Sequence, residues 1–587
     1  MPYQSANLTE RQAAAHLIDR FTYGGTTKDV DEVVKMGLSV WFEKQLDGNL
    51  PNDDLMKRLQ QFDVLEYSNT EIADIFRRNG QIIKDAEKAG VIPKDSAQKG
   101  KDATTFQSSI DSFSKAMGWR KEQELFRQQI GQKLLRATYS TNQLHEVLTD
   151  FWFNHFNVSL SKNDCALYVP NYERDVIRPN VVGTFYDLLL ATAQSPAMLL
   201  YLDNFSSSGH NSKFSQQDSI QLQKLKLRLS KVDSSEAAKL RKQINRKSQE
   251  GLNENYAREL MELHTLGVDG GYTQQDVTQA ARILTGWTIF PSSPNMPGYQ
   301  QVQGLLKRKG LEDMSKEGFV RSGDFFFAVN RHDDGEKTVL GKKFSSGGGY
   351  EEGLTLLHLL ANQPATAKFI CRKLAVRFVS DNPPQSLINK MAKRFQGSDG
   401  NIRAVLEEMV ASPEFWKKGT FYAKTKSPFE LTVSALRVLH TDVQNPMPIV
   451  QWISKMGQRY YYYQAPTGFP DQAKFWINSG TILSRINFGW ALATKSIKGI
   501  RFDSNKFEKN SPTWKTTIAQ NLLPERDVTK IFTRTQQSID QQTIAQEADK
   551  DNLNLLSNDR ILKSNSVIDS VSQSIGLIIG SPEFQLR

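Results

Sequence analysis

The apolar positions of this chain recur mostly at helical spacing. Thr9 and Gln12 form a capping-box pair ahead of Ala13, Ala14, Leu17 and Ile18, which predicts an amphipathic helix beginning at Thr9. Val33, Val34, Leu38, Trp41 and Phe42 continue the pattern across a break at Gly37. Helical periodicity resumes over 106–156, with a break at 136–140, and the block 168–203 divides at Pro179 and at Ser195-Pro196. A long helix is predicted over 253–266, ended by Gly267, and Thr273 with Asp276 at its N3 position caps another that runs to Gly286. Ser195-Pro196, Ser412-Pro413 and Ser581-Pro582 each follow an apolar helical stretch. Ser at an N-cap with Pro after it starts a new turn, so these are corners between helices. No fixed period links them, which excludes a repeat array.

The pattern changes over 289–345. The runs 325–329 (Phe-Phe-Phe-Ala-Val) and 337–340 (Lys-Thr-Val-Leu) flank Asp333-Asp334-Gly335-Glu336, and this predicts a β-hairpin with a Gly-containing turn. Residues 80–103, 206–219 and 460–474 are rich in polar, Ser, Pro or Gly residues and read as loops. The fold class is therefore mainly α: a large multi-helix body with a small β-hairpin excursion around 320–342. Four segments are expected: an N-terminal helical part over 1–204, a flexible basic insertion over 205–250, a central helical part with the hairpin over 251–500, and a linker with helices packing on the same body over 501–587.

Composition supports a packed body. Of 587 residues, 39% are hydrophobic and 24% charged, with nine Trp, 17 Tyr and 32 Phe to fill a core. The length suits three or four average domains or one extended helical body. The most apolar stretch, 181–202, is interrupted by Asp187 and Pro196, so no transmembrane segment is expected. Cys165 and Cys371 alone define neither a disulfide framework nor a thiolate metal site. Met1-Pro2-Tyr3-Gln4 opens the chain with no basic, apolar leader; either the protein stays in the cytoplasm or its leader is missing.

Charge is localised. Segment 221–248 carries nine Lys or Arg against Asp233 and Glu236, and so supplies +7 of the net +10. No aromatic residue interleaves these charges for base stacking, so the segment reads as a solvated insertion. A nucleic-acid partner is disfavoured, and an anionic partner through 221–248 stays open.

The densest polar segment is 253–265. At 100° per residue, Glu254, Arg258, Glu262 and Thr265 fall within about 80° of arc, with Asn255 next and Glu259 further round. Carboxylates on one face can bind a divalent cation or act as acid and base; a Glu–Arg–Glu ladder at i, i+4 and i+8 is the structural alternative. Tyr256, Leu260, Met261 and Leu263 leave the rest of this helix apolar, so it is expected to be buried with its polar face toward a cavity. His264 sits about 160° from Glu262 and reads as a hydrogen-bonded core histidine. The spacing lacks both Glu-x-x-His and His-Glu-x-x-His. In 151–157, His155, Asn154 and Asn157 lie among four aromatic residues, a setting for a neutral metal ligand or base, or for a histidine that orients a helix end. Arg331-His332-Asp333 places a His beside an Asp that is also an ordinary turn residue. Phosphate loops, nucleophile elbows, clear dinucleotide fingerprints and paired Cys-x-x-Cys motifs are absent.

Together these stretches resemble the bacterial domain of unknown function 1800 family. The likeness runs through 8–20 with Phe21-Thr22-Tyr23-Gly24, 151–156, 183–189 with 196–203, 253–267, 272–287, 331–341, Lys426-Ser427-Pro428 and Trp476-Ile477-Asn478. Members often carry Trp-His-Asn-His-Phe where this chain has Trp152-Phe153-Asn154-His155-Phe156, and segment 221–248 is an insertion relative to the family pattern. The resemblance implies a bacterial origin, a helical fold and frequent export, hence a periplasmic or extracellular location. It also implies gene neighbours that resemble sulfatases and alkaline phosphatases as candidate partners. It implies no established activity or catalytic residues.

Two functions follow. One is an enzyme in which Glu259, Glu262, His155 and His332 are catalytic, with Glu254, Arg258 and Asp333 as ligand-binding groups around a divalent metal, acting on an exported polymer or glycan. The other is a non-catalytic scaffold or surface-assembly factor whose same residues form a polar core network.

Overall fold

The computed structural model is mainly helical, from Glu10–Phe21 to Pro582–Gln585. It describes all residues except 94–102, most of 210–250, 297, 508–511, 530 and 533–568. The basic segment 221–248 thus lies almost wholly outside the described residues.

Local signals act where the chain places them. Thr9 Oγ1 accepts the Gln12 amide and the Gln12 side chain accepts the Thr9 amide, closing the expected capping box. Thr273 and Asp276 do the same ahead of Gln274–Ile283, and Asp276 also accepts the Leu340 amide at 2.7 Å. The Ser-Pro pairs at 195, 412 and 581 all start new helical turns. Residues expected as loop fold further than their polarity suggests: Asn79–Lys88 is a helix. It buries Ile82 and Ala86 against Ile92 and Ile110 in a small separate cluster, which repays the helix for its poor propensity.

A single large core runs from Ala13 to Phe584, with Trp152, Trp287 and Trp416 fully enclosed. Cys165 and Cys371 are both buried and unbonded. Among the described residues no helix is long and apolar enough to cross a membrane.

The β excursion is present, but its strands pair differently from the expected hairpin. Phe325–Phe327 is the central strand of an antiparallel sheet, between Trp287–Ile289 and Val320–Ser322. Both its edges are taken, and all three Phe side chains are buried, so it has no edge left for 337–340. Lys337–Val339 instead turns back on Lys342–Phe344 through Leu340 and Gly341, both at positive φ. That two-residue turn is the one a right-twisted hairpin prefers. The Asp333–Glu336 turn joins the two sheets.

Candidate functional site

The structure sends the sequence-predicted groups to separate environments. Glu254 accepts hydrogen bonds from Gln274 Nε2 at 2.8 Å and Thr278 Oγ1 at 2.6 Å, while Arg258 donates to Gln274 Oε1 at 2.7 Å. This face therefore braces Glu254–Glu259 against Gln274–Ile283. Glu262 accepts the Tyr272 hydroxyl at 2.9 Å. Burial, aided by the nearby Glu262 charge, pushes the half-buried Glu259 carboxyl up.

The helix changes character at this point. Leu260–Thr265 is a π-helical turn, a widening that often accompanies functional positions. His264 is a core histidine, as expected, but the bond it makes is through its carbonyl, which accepts His155 Nε2–H at 3.1 Å. Its own ring Nε2 is buried without a partner among the described residues, and burial drives its pKa down to about 3. On the other side of His155, Lys373 Nζ donates to Nδ1 at 2.8 Å. These two contacts fix the neutral Nε2–H tautomer. Burial, then the Lys373 charge, holds His155 well below the ordinary histidine value, and burial lowers Lys373 to about 8.

His332 lies in a third place. Its Nδ1–H donates to the Thr285 carbonyl at 3.0 Å, and Nε2 is 3.4 Å from Glu352. Lys337 Nζ reaches the same Glu352 oxygen at 2.6 Å. Asp333 receives Arg282 through both oxygens, at 2.8 and 3.1 Å, and accepts the Gly335 amide. Burial acts to raise this carboxyl, but the Arg282 and Gly335 bonds outweigh it and keep it below its usual range. Among the described residues no group of three or more His, Cys, Asp or Glu is arranged to hold a metal ion.

A pocket forms elsewhere, beneath the aromatic loop. Helix Gln143–His155 presents Asp150, Phe151, Phe153 and Asn154 to it; Tyr460, Tyr461, Phe469 and Trp476 cover it, and Arg377 and Asp471 supply further charge. Its volume is about 50 Å³, room for roughly three waters. The loop is stapled down by the two amides of the 151–157 motif. Asn154 Nδ2 donates to the Phe469 carbonyl at 2.8 Å and its Oδ1 accepts the Phe469 amide at 2.7 Å. Asn157 Nδ2 donates to the Tyr463 and Ala465 carbonyls. Between them Gly468 sits at positive φ, and a Cβ there would run into the Asn154 carbonyl oxygen, so only glycine lets the loop close this tightly.

The electrostatics of the pocket are uneven. Arg377 is held on one side by Glu430 at 2.6 Å, yet its Nε and Nη2 have no hydrogen-bond partner among the described residues. Glu430 also meets Arg587 at 3.1 Å. Burial alone would raise Glu430, but these two guanidinium groups bring it down to about 2. Asp150 goes the other way: burial pushes its carboxyl up, against the pull of Lys133 at 3.4 Å and of Arg377. Lys133 is shared, at 2.9 Å, with Glu173 on the second π-helical turn, Tyr172–Ile177. Tyr461, itself at positive φ, donates its hydroxyl to Glu173 at 2.6 Å.

A family model described as a protein of unknown function, DUF1800, matches residues 16–586. The chain belongs to the DUF1800 family. No curated protein and no solved structure matches it. Two stretches that carried the family resemblance, Lys426-Ser427-Pro428 and Trp476-Ile477-Asn478, meet at this pocket through Ser427 and Trp476. The sequence pattern does not single out Asp150, Arg377 or Asp471. The signal for Asp150 was a lone acid beside the apolar run 151–153; for Asp471 it was its place in the aromatic, Pro- and Gly-rich loop. Arg377 lies in an ordinary amphipathic helix and gave none.

Proposed function

We propose that this DUF1800 protein is a carboxyl-based hydrolase acting on a polymer such as a glycan, with its chemistry in the pocket under the 458–476 loop. The observation that supports this most directly is Asp150: a carboxyl that burial shifts toward its protonated form, in a pocket with a half-satisfied arginine and a second carboxylate, Asp471. A neutral carboxylic acid can deliver a proton to a leaving oxygen. Asp471, the more exposed acid, takes the proton of the attacking water. The free N–H groups of Arg377 stabilise charge that develops on the substrate. The aromatic cover suits the apolar face of a sugar ring, and the small volume suits one group projecting from a larger chain.

The test is release of reducing ends or of ring substituents from a panel of bacterial polysaccharides, with Asp150→Asn and Asp471→Asn as controls. Activity that both variants abolish supports the reading; activity that survives both sinks it. Metal analysis separates it from the metal-centred form of an enzyme, in which Glu259, Glu262, His155 and His332 bind a divalent ion with Glu254, Arg258 and Asp333. In that form Glu262→Gln and His155→Ala purify with less metal.

A scaffold is the second reading, and one observation favours it. The buried charges are largely paired with one another, as in the Arg377–Glu430–Arg587 group, which is what a polar core network requires. On that reading the same substitutions lower stability and leave no chemical phenotype.

A further inference from the structure

We propose that the outer face of helix Ser479–Ala493, with Phe475 and Ile477 before it, docks on an anionic lipid bilayer. Fourteen large apolar residues are exposed among the described residues, and six of them are Phe475, Ile477, Ile482, Leu483, Ile486 and Trp490. Each is 36% to 50% exposed. At 100° per residue, Ile482, Ile486, Trp490 and Leu483 span about 100° of one helix face. A helix that only covers the core turns polar groups outward, as Gln385–Gly397 does with Lys390, Lys393 and Arg394. Here the outward stripe is apolar instead.

The opposite face explains why the stripe cannot simply turn inward. Arg485 is buried and donates to the Lys426 carbonyl at 3.0 Å and to Gln585 Oε1 at 2.8 Å. Gly489 lies against Ile579 and Gly580 of Ser570–Gly580. Asn478 and Thr481 close a capping box at the N-terminus. The helix is thus clamped in one rotation, and the stripe stays presented.

Charge identifies the occupant. From 472 to 502 there is no Asp or Glu, while Lys474, Lys495 and Lys498 are exposed; Arg501 is paired across a short strand with Asp442. An apolar stripe flanked by these lysines matches a surface of anionic headgroups over acyl chains, into which such a face settles about 5–10 Å deep. Each cation near that surface adds to the attraction, which salt screens. Insertion from one side is consistent with the absence of any spanning helix among the described residues. Trp476 points into the pocket wall while its neighbours Phe475 and Ile477 face out, so a docked helix would hold the pocket loop close to the membrane.

The experiment is co-sedimentation of the full chain with phosphatidylglycerol–phosphatidylcholine vesicles and with pure phosphatidylcholine vesicles, at low and high salt. The expected result is strong pelleting with the anionic vesicles, weakened by salt. The triple variant Ile482→Ser, Leu483→Ser, Ile486→Ser should lose about tenfold or more in partitioning while keeping the wild-type circular dichroism spectrum, since none of the replaced side chains belongs to the buried core. Lys474→Gln with Lys495→Gln and Lys498→Gln should reduce anionic binding to the neutral-vesicle level. Equal pelleting of wild type and triple variant overturns the proposal. So does a lipid-free dimer that the triple variant dissociates, with no vesicle binding, because the stripe would then belong to a second copy of the chain.

Discussion

The Glu254–Glu262 helix face and the pocket under the aromatic loop are both polar and partly buried, and they differ in whether their polar groups already have partners. On the face, Glu254 is taken by Gln274 and Thr278, Arg258 by Gln274, and Glu262 by Tyr272. In the pocket, Arg377 keeps two donors unpaired among the described residues, and Asp150 pairs at 3.4 Å with Lys133, a cation that Glu173 holds more closely at 2.9 Å. A saturated group is a brace; an unsaturated buried one is free to serve a ligand. Closely spaced polar residues on one helix mark the first kind here, and the second is assembled from single residues on separate elements.

The sharpest way to break this contrast is to compare Asp150→Asn with Glu262→Gln. With activity in hand, Asp150→Asn should lower turnover by about 10²–10⁴-fold, the usual weight of a general acid, and Glu262→Gln should stay within about threefold. Stability should move oppositely. Because burial raises the Asp150 carboxyl in the folded state, its ionisation as pH rises toward neutrality works against folding. The uncharged amide removes that penalty, so the variant should melt at or above the wild-type temperature at neutral pH. A brace residue would lose stability instead, and a fall in melting temperature with unchanged turnover would place Asp150 among the braces.

Next in size is the ion group that holds Arg377. Glu430→Gln leaves two buried guanidinium groups without their shared carboxylate and should cost about 3–5 kcal/mol in chemical denaturation. Its pH signature is distinct. Glu430 falls from the usual 4.5 to about 2 in the folded state, so its contribution is fully present above about pH 4.5 and is lost as pH falls through 2. That segment is worth about 3 kcal/mol and should be missing from the acid titration of the variant. Gly468→Ala comes third. Its φ of +69° and the blocked approach to Asn154 should cost about 1–3 kcal/mol, read by thermal melting, with earlier proteolysis within 458–476.

Much of the fold was legible because helices announce themselves locally. Capping boxes at Thr9 and Thr273 and Ser-Pro corners act over three or four residues, and they fall where the spacing predicts them. The strand partners were not legible: nothing near Phe325 says that Trp287 and Val320 occupy its two edges. The site divides along the same line. Asn154 and Asn157 stood out among aromatics, but their targets, the 463–469 carbonyls and amide, lie about three hundred residues away in sequence. Asp150 and Arg377 are unremarkable in their own helices and acquire their chemistry only from burial against each other's surroundings.

The smallest predicted effect is also the cleanest test of the brace. Arg258 and Glu254 are 3.6 Å apart and more than a third exposed on average, at 40% and 34%. Water screens such a pair, so Arg258→Ala should cost about 1 kcal/mol or less. Most of that cost belongs to the 2.7 Å bond to Gln274 and not to the ion pair. Arg258→Gln, which can still donate to Gln274, should therefore recover most of the lost stability, and added salt should change neither variant's difference from wild type. A large, salt-sensitive loss, or any effect of Arg258→Ala on turnover, would mean that this face carries charge for a ligand after all and that the division between brace and pocket is drawn in the wrong place.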